Sequence, residues 1–179
     1  MTRALVVYES VFGDAATIGR AIADGLSTRL PADAVPVADA PAEVGPDVRL
    51  LVVGGPTHAF GMPRPATRQG AVREHGAEIS DTSVGLHEWL DTVRLASKAN
   101  AAAFDTRMDH PKLITKLDHA ARTEEKLLRG LGATLVAPAQ HFVVTDTTGP
   151  LADGEEERAR SWGQALGEIV AARPANASD

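Results

Sequence analysis

Short, continuous apolar runs alternate with amphipathic segments along this chain, and this alternation constrains its fold more than any other feature. Runs at 4–8, 50–53 and 101–104 are rich in Val, Leu and Ala, as strands buried on both faces are. A further run at 35–37, the second in chain order, contains Pro36, which predicts an edge strand. A fifth covers 134–137 and resumes at 142–144. The pattern predicts five strands.

Helical periods lie between these runs. Apolar residues at three- and four-residue spacing form two core-facing stripes, which are Ile18, Ile22 and Leu26, and Leu113, Leu117, Ala120, Leu127 and Leu131. A last stripe follows a capping-box pattern at Asp153 and Glu156 and consists of Trp162, Ala165, Leu166, Ile169 and Val170. Residues 63–100 are predicted to hold two more helices, joined by a polar loop through Asp81. Strands that alternate with helices imply right-handed crossovers and a parallel α/β sheet.

The bulk composition limits the possible functions. The chain has 179 residues, 44% of them apolar, which predicts one domain over 1–172 and a flexible tail over 173–179. A net charge of -6 without a basic block argues against nucleic acid. Cysteine is absent, so thiolate catalysis and thiolate metal sites are excluded, and any redox chemistry requires a cofactor. The pairs Asp109-His110 and Asp118-His119 lie nine residues apart, which is not the spacing of a common zinc pair, so no metal site is predicted. No signal-peptide pattern and no membrane-length apolar run is present, so a cytoplasmic protein without membrane association is expected.

Two loops are the candidate ligand sites, because open parallel sheets bind ligands beyond the carboxyl ends of their strands. The segment Ser10–Ala15 runs from the first strand straight into a helix. Backbone N–H groups at such a helix start are suited to an anion. The segment after the third strand begins Gly54-Gly55-Pro56, and its glycines would let the backbone approach a flat ligand.

Side chains in this second loop offer hydrogen bonds and stacking surface, namely Thr57, His58, Phe60 and Met62. The alternative interpretation is an ordinary loop in which Phe60 and Met62 fill the edge of the core. The residues alone leave both interpretations open.

Together the motifs VVYES, LVVGGPTHAFG and AAFDTR, with the C-terminal helix at Trp162, resemble the flavodoxin family over nearly the whole chain. The resemblance implies a three-layer flavodoxin-like sandwich, in which helices cover both faces of a five-stranded parallel sheet of order 2-1-3-4-5. It also implies an FMN site at the carboxyl edge of that sheet.

The resemblance assigns residues to this site. The family's phosphate loop, Ser/Thr-x-Thr-Gly-x-Thr, aligns with Ser10, Val11, Phe12, Gly13, Asp14 and Ala15. The segment that lies along the flavin ring aligns with Pro56, Thr57, His58, Phe60 and Gly61, where Gly61 would give the backbone freedom beside the reduced ring. A loop after the fourth strand, with Asp105, Thr106 and Arg107, would cover the other edge of the ring.

The phosphate loop departs from the family pattern at two positions. Phe12 and Ala15 stand where threonines are expected. Each lost hydrogen bond to a charged group is worth roughly 1.5 to 3 kcal/mol, so the pair removes about two to four decades of affinity before water compensates. A further hypothesis makes Asp14 an internal phosphate mimic, whose carboxylate caps the first helix and accepts the same N–H groups.

Two functions from different classes follow from the resemblance and its departures. The first is an FMN-binding redox protein that carries electrons between a reductase and an acceptor protein, or reduces a small quinone. The second is a flavin-free binding or regulatory module whose phosphate loop has degenerated. No G-x-S-x-G or Walker A sequence is present, so an electron carrier or flavin-dependent oxidoreductase is favoured over a hydrolase.

Overall fold

The computed structural model describes residues 1–57, 62–77, 82–108 and 120–173. The strands in this part are β1 (Arg3–Tyr8), β2 (Ala32–Pro36), β3 (Glu43–Val44), β4 (Val48–Pro56), β5 (Arg94–Leu95), β6 (Asn100–Met108), β7 (Thr134–Leu135) and β8 (Gln140–Val144). The α-helices are α1 (Asp14–Leu26), α2 (Pro65–His75), α3 (Leu86–Thr92), α4 (Ala120–Gly130) and α5 (Glu155–Ala172). Within these residues, no helix is both long enough and apolar enough to cross a bilayer.

The main sheet is parallel and has the order β2-β1-β4-β6, with β7 and β8 both paired to β6. The fifth predicted strand is therefore formed by β7 and β8, which follow one another along the outer edge of β6. The flavodoxin-like order is confirmed, and β2 lies at the other edge, as its proline predicts. The pair β3 and β5 forms a separate two-stranded parallel sheet, which the sequence analysis does not predict.

Helices cover both faces of the sheet, because alternate strand residues point to opposite sides. Ala4, Val6 and Tyr8 of β1 pack in a cluster with α1 and α5. Leu5 and Val7 point to the other face, into a cluster with α3 and α4. The resulting core has three layers, and the carboxyl ends of β1, β4 and β6 point to one edge.

Strand and helix ends differ from the sequence predictions at several points. The third and fourth predicted strands extend further, since β4 reaches Pro56 and β6 reaches Met108. The capping-box prediction for the last helix is wrong, because Gly154 is the N-cap residue of α5 and no side chain caps it. The apolar stripe is also wrong at Ala165, which is exposed, whereas Leu166 and Val170 are buried. Leu113 and Leu117 lie outside the described residues.

Glycines allow α1 and α5 to approach each other closely. A methyl group on Gly163 of α5 would overlap the carbonyl oxygen of Ile22 in α1, and one on Gly25 would overlap the carbonyl oxygen of Arg160. The two helices therefore pack backbone to backbone on one face of the sheet.

Replacing Gly163 by alanine is expected to lower the free energy of unfolding by about 1 to 2 kcal/mol. Overpacking typically costs about 1 to 3 kcal/mol, and the better helix propensity of alanine offsets up to about 1 kcal/mol. Urea unfolding measures the change. Gly70→Ala in α2 is the matched control, because no atom lies within 4 Å of the added methyl group. That variant should be more stable than the parent, and equal effects of the two substitutions would contradict the packing argument.

Candidate functional site

The candidate site lies at the carboxyl edge of the sheet, where a row of residues crosses four strands. Gly55 of β4 is in register with Asp105 of β6, which is in register with His141 of β8. Glu9, directly after β1, lies beside Gly55. All four share the parity of the residues that face α3 and α4, such as Val7 and Val53. These polar residues therefore lie next to the apolar core, at the following inward-facing positions towards the carboxyl edge of the sheet.

The first helix begins at this edge, as the phosphate-loop alignment predicts. Gly13 is its N-cap residue and has φ 102°, a left-handed conformation that glycine adopts readily. The hydroxyl oxygen of Ser10 accepts hydrogen bonds from the amides of Gly13, at 3.1 Å, and Ala16, at 3.2 Å. The amides of Asp14 and Ala15, in the first turn, have no intrahelical acceptor. They are the N–H groups that an anion could use.

The hypothesis that Asp14 replaces the phosphate is wrong. Its carboxylate lies against Gly149, and in the described part of the chain it makes no capping hydrogen bond to its own helix. Partial burial raises the pKa of Asp14, and the Leu151 amide opposes that shift. The side chain that occupies the helix opening is Ser10.

The two side chains that depart from the family pattern have structural roles. Val11 is buried, and Phe12 packs with it against Ala71 and Val72 of α2. The Phe12 ring meets the ring of His75 edge to face, with 6.1 Å between centroids. Ala15 is 2% exposed and belongs to the core. The loop therefore contributes packing at positions where the family carries threonine hydroxyls.

The predicted ring-side residues are placed differently from the sequence expectation. Pro56 belongs to β4, and Asp105, Thr106 and Arg107 belong to β6 rather than to a loop. Thr57 follows β4, and its amide donates to the carbonyl oxygen of Thr106 at 2.9 Å. The predicted residues His58, Phe60 and Gly61 lie outside the described residues. Met62 is buried in the core beside α3, as the alternative interpretation of this segment expected.

The glycine pair has packing contacts with the neighbouring strands. A methyl group on Gly54 would overlap the ring of Phe104 in β6, which packs across it in the core. A methyl group on Gly55 would lie 3.2 Å from the Cβ atom of Glu9, which follows β1. The absence of a side chain at both positions therefore allows close packing between strands, and the approach of a ligand to these glycines stays a prediction.

A buried charge network beneath the site was not predicted. Arg68 of α2 is 1% exposed, and its guanidinium contacts Glu9 at 3.1 Å and Glu88 at 2.7 Å. Glu9 also accepts a hydrogen bond from the amide of Leu86 at 2.8 Å. Burial raises the pKa of Glu9, although the Leu86 amide and the Arg68 charge act in the opposite direction. The only sequence signal was an arginine at a core-facing position of a helical segment.

A second buried acidic group, Glu124 of α4, lies near Glu9 and Asp105 of the row described above. Glu124 is 1% exposed, and burial raises its pKa well above the usual range, with a further contribution from the negative charge of Asp105. Asp105 is equally buried, and one of its oxygens lies 2.9 Å from Nδ1 of the partly exposed His141. Three buried polar atoms lack a hydrogen-bond partner in the described part of the chain, namely Thr57 Oγ1, Asp105 Oδ2 and Glu124 Oε2.

Comparisons with known proteins agree with this architecture. No protein-family model matches the chain, and no curated protein matches it by sequence. Among solved structures, a flavodoxin from the domain Archaea aligns with a TM-score of 0.61 and 16% identity, covering 94% of this chain and 99% of its own. A flavodoxin described as WrbA-like, from Agrobacterium tumefaciens, gives 0.59 and 15%, covering 95% and 98%.

A third solved structure, a diflavin flavoprotein from Nostoc sp., aligns with a TM-score of 0.54 and 20% identity, covering 94% of this chain and 93% of its own. Identities this low relate the structures through their fold. The chain has the flavodoxin-like fold.

Proposed function

We propose that this protein binds FMN and serves as a redox protein, passing electrons between a reductase and an acceptor protein or to a small quinone. The observation that carries the proposal is the start of α1 at the carboxyl edge of β1. There Gly13 adopts a left-handed conformation, and the amides of Asp14 and Ala15 have no intrahelical acceptor. A helix N-terminus of this kind favours a phosphate through its N–H groups and its dipole.

A buried hydroxyl without a partner supports the same proposal. Thr57 Oγ1 has no hydrogen-bond partner in the described part of the chain, although it is shielded from water. Such an atom is costly unless a ligand or a water molecule bonds to it. Thr57 follows β4, next to the strand that leads into the candidate phosphate loop. This edge of the sheet would therefore contact FMN at two places, the phosphate at the start of α1 and the flavin ring at Thr57.

Different residues would hold the phosphate and the ring of the cofactor. Ser10 and the amides of Asp14 and Ala15 would hold the phosphate, with Val11, Phe12 and the left-handed Gly13 supporting the loop. Pro56, Thr57, His58, Phe60 and Gly61 would lie on one side of the ring, and Asp105, Thr106 and Arg107 on the other. When bound, FMN supplies the electron-transfer chemistry, and the protein supplies position and electrostatics.

Fluorescence titration of the purified protein with FMN tests the proposal. Quenching of the flavin fluorescence to a saturating stoichiometry of one per chain is the expected result. A colourless preparation that leaves FMN fluorescence unchanged would show that the chain is not a flavoprotein. In that case the second candidate function, a flavin-free binding or regulatory module, is supported by the packing of Phe12 on α2 and of Ala15 in the core.

Thr57→Val is a sharper test, because it should change affinity and stability in opposite directions. The substitution replaces an unpartnered buried hydroxyl by a methyl group of similar shape, so the protein without ligand should gain up to about 1 kcal/mol of stability. If Thr57 bonds to FMN, the affinity should fall about fivefold to tenfold. Thr28→Val is the control, since its hydroxyl bonds to the carbonyl oxygen of Gly25. It should lower stability and leave FMN affinity unchanged.

A further inference from the structure

The loop that follows β1 is attached to α2 by two independent sets of contacts. The first is polar and involves Glu9, the residue before Ser10. One carboxylate oxygen of Glu9 accepts from the Arg68 guanidinium at 3.1 Å, and the other accepts from the Leu86 amide at 2.8 Å. Both oxygens are therefore fixed by groups that lie outside the loop.

Arg68 is itself held on every side. Its Nε donates to the carbonyl oxygen of Thr82 at 2.8 Å, and one terminal nitrogen donates to that of Pro63 at 3.1 Å as well as to Glu9. The other terminal nitrogen donates to Glu88 of α3 at 2.7 Å. Gly85 leaves the space that the guanidinium fills. An arginine with this many acceptors has one available position, so Glu9 is fixed as well.

The second attachment is apolar and lies two to three residues further along. Val11 and Phe12 pack against Ala71 and Val72 of α2, and the Phe12 ring meets His75. Ser10 thus lies between two anchors, an ion pair at Glu9 and an apolar contact at positions 11 and 12. Its hydroxyl is held where it accepts from the amides of Gly13 and Ala16.

We propose that α2 is a scaffold that fixes residues 9–13 in their anion-binding conformation, with Arg68 and Phe12 as its positioning residues. This inference rests on the proposed function. Ordering a flexible backbone costs conformational entropy, and a loop that is already ordered does not incur that cost when ligand binds. Phe12 thus lacks the side-chain hydroxyl with which a threonine would bind the phosphate, but it holds the remaining loop amides in place.

Phe12→Thr separates this proposal from the simpler view that the loop has lost a ligand. If the hydroxyl is what matters, restoring the family threonine should tighten FMN binding. If anchorage on α2 matters, the same substitution should weaken FMN binding about tenfold. Phe12→Leu, which keeps an apolar contact with α2, should recover most of the affinity that Phe12→Thr loses, and Arg73→Lys, at an exposed position of α2, should bind FMN like the parent. Riboflavin, which has no phosphate, should bind the parent and both Phe12 variants within about twofold.

Hydrogen exchange of the protein without ligand gives a readout independent of FMN. The amides of residues 13–16 should exchange faster in Phe12→Thr and in Arg68→Lys, because lysine cannot reach the same set of acceptors. Arg73→Lys, at an exposed position of α2, should exchange like the parent.

Tighter or unchanged FMN binding by Phe12→Thr, or unchanged exchange in both loop-releasing variants, would overturn the scaffold proposal. If the parent binds no FMN, the proposed function is wrong, and the exchange rates alone decide whether α2 positions the loop: faster exchange retains the scaffold, and unchanged exchange removes it.

Discussion

Replacing Arg68 by leucine is expected to lower the free energy of unfolding by about 3 to 5 kcal/mol. Removing one partner of a buried ion pair leaves the other charge without compensation, and this is the range such losses span. Here the substitution leaves buried Glu9 without its positive partner, and removes the donor to the carbonyl oxygens of buried Pro63 and half-buried Thr82. Urea unfolding of the protein without ligand, monitored by circular dichroism, measures the change.

Two comparisons separate this effect from a general loss of helix α2. Arg73→Leu removes an exposed arginine from the same helix and should change stability by less than about 0.5 kcal/mol. The double variant Arg68→Leu with Glu9→Leu removes both buried charges and should recover part of the loss, since the pair is coupled. A loss below about 1 kcal/mol for Arg68→Leu, or strict additivity in the double variant, would mean that the ion pair contributes little.

The layered fold could be predicted because the apolar pattern of the strands determines it. Runs such as Leu50 to Val53 are buried on both faces, and only a parallel sheet covered on both sides gives them such surroundings. The exact strand ends could not be predicted in this way. Gly54, Gly55 and Pro56 have the composition of a turn, yet they continue β4, because Phe104 of β6 occupies the space that the missing side chain of Gly54 leaves. A cross-strand fit of this kind has no local signature.

The candidate site could be predicted only in part, for a similar reason. The position of the loop after β1 follows from topology, and the N–H groups at the start of α1 follow from helix geometry. The partner of each side chain follows from neither topology nor helix geometry. Glu9 and Arg68 lie 59 residues apart in the chain, and the Asp14 carboxylate lies against Gly149 instead of capping its own helix. Long-range pairs of this kind depend on how the helices dock, which a single sequence does not encode as a pattern.

Replacing Glu124 by glutamine is expected to raise the free energy of unfolding at pH 7 by about 1 kcal/mol or more, because the amide, although equally buried, carries no charge. An unpartnered buried polar group costs about 1 to 3 kcal/mol, and a charged one costs more. Burial raises the pKa of Glu124 in the folded protein well above the ordinary value of 4.5, with Asp105, Glu9 and Glu125 adding negative charge around it. The folded protein must therefore either keep a proton that the unfolded chain releases or hold an uncompensated charge.

The stability difference between Glu124→Gln and the parent should increase with pH. Below about pH 4 the carboxyl group carries a proton in both states, so Glu124→Gln and the parent should have similar stabilities. As the pH rises past the ordinary value, the unfolded chain releases its proton first, and the folded state of the parent loses stability relative to the variant. The gap between the two proteins should widen up to the folded pKa and then remain constant. Differences between matched curves cancel the contributions of groups that do not interact with Glu124.

Glu74→Gln, at an exposed position of α2, provides the baseline and should follow the parent within about 0.5 kcal/mol at every pH. A gap that is constant from pH 4 to pH 8 would show that Glu124 titrates normally, which requires water or a cation beside its Oε2. A gap that widens with pH and closes when FMN is added would instead connect this buried carboxyl group to the candidate site. A ligand that binds only the folded protein stabilises it, so the gap closes only if FMN stabilises the parent more than the variant. That result is expected if FMN gives the unpaired group a partner.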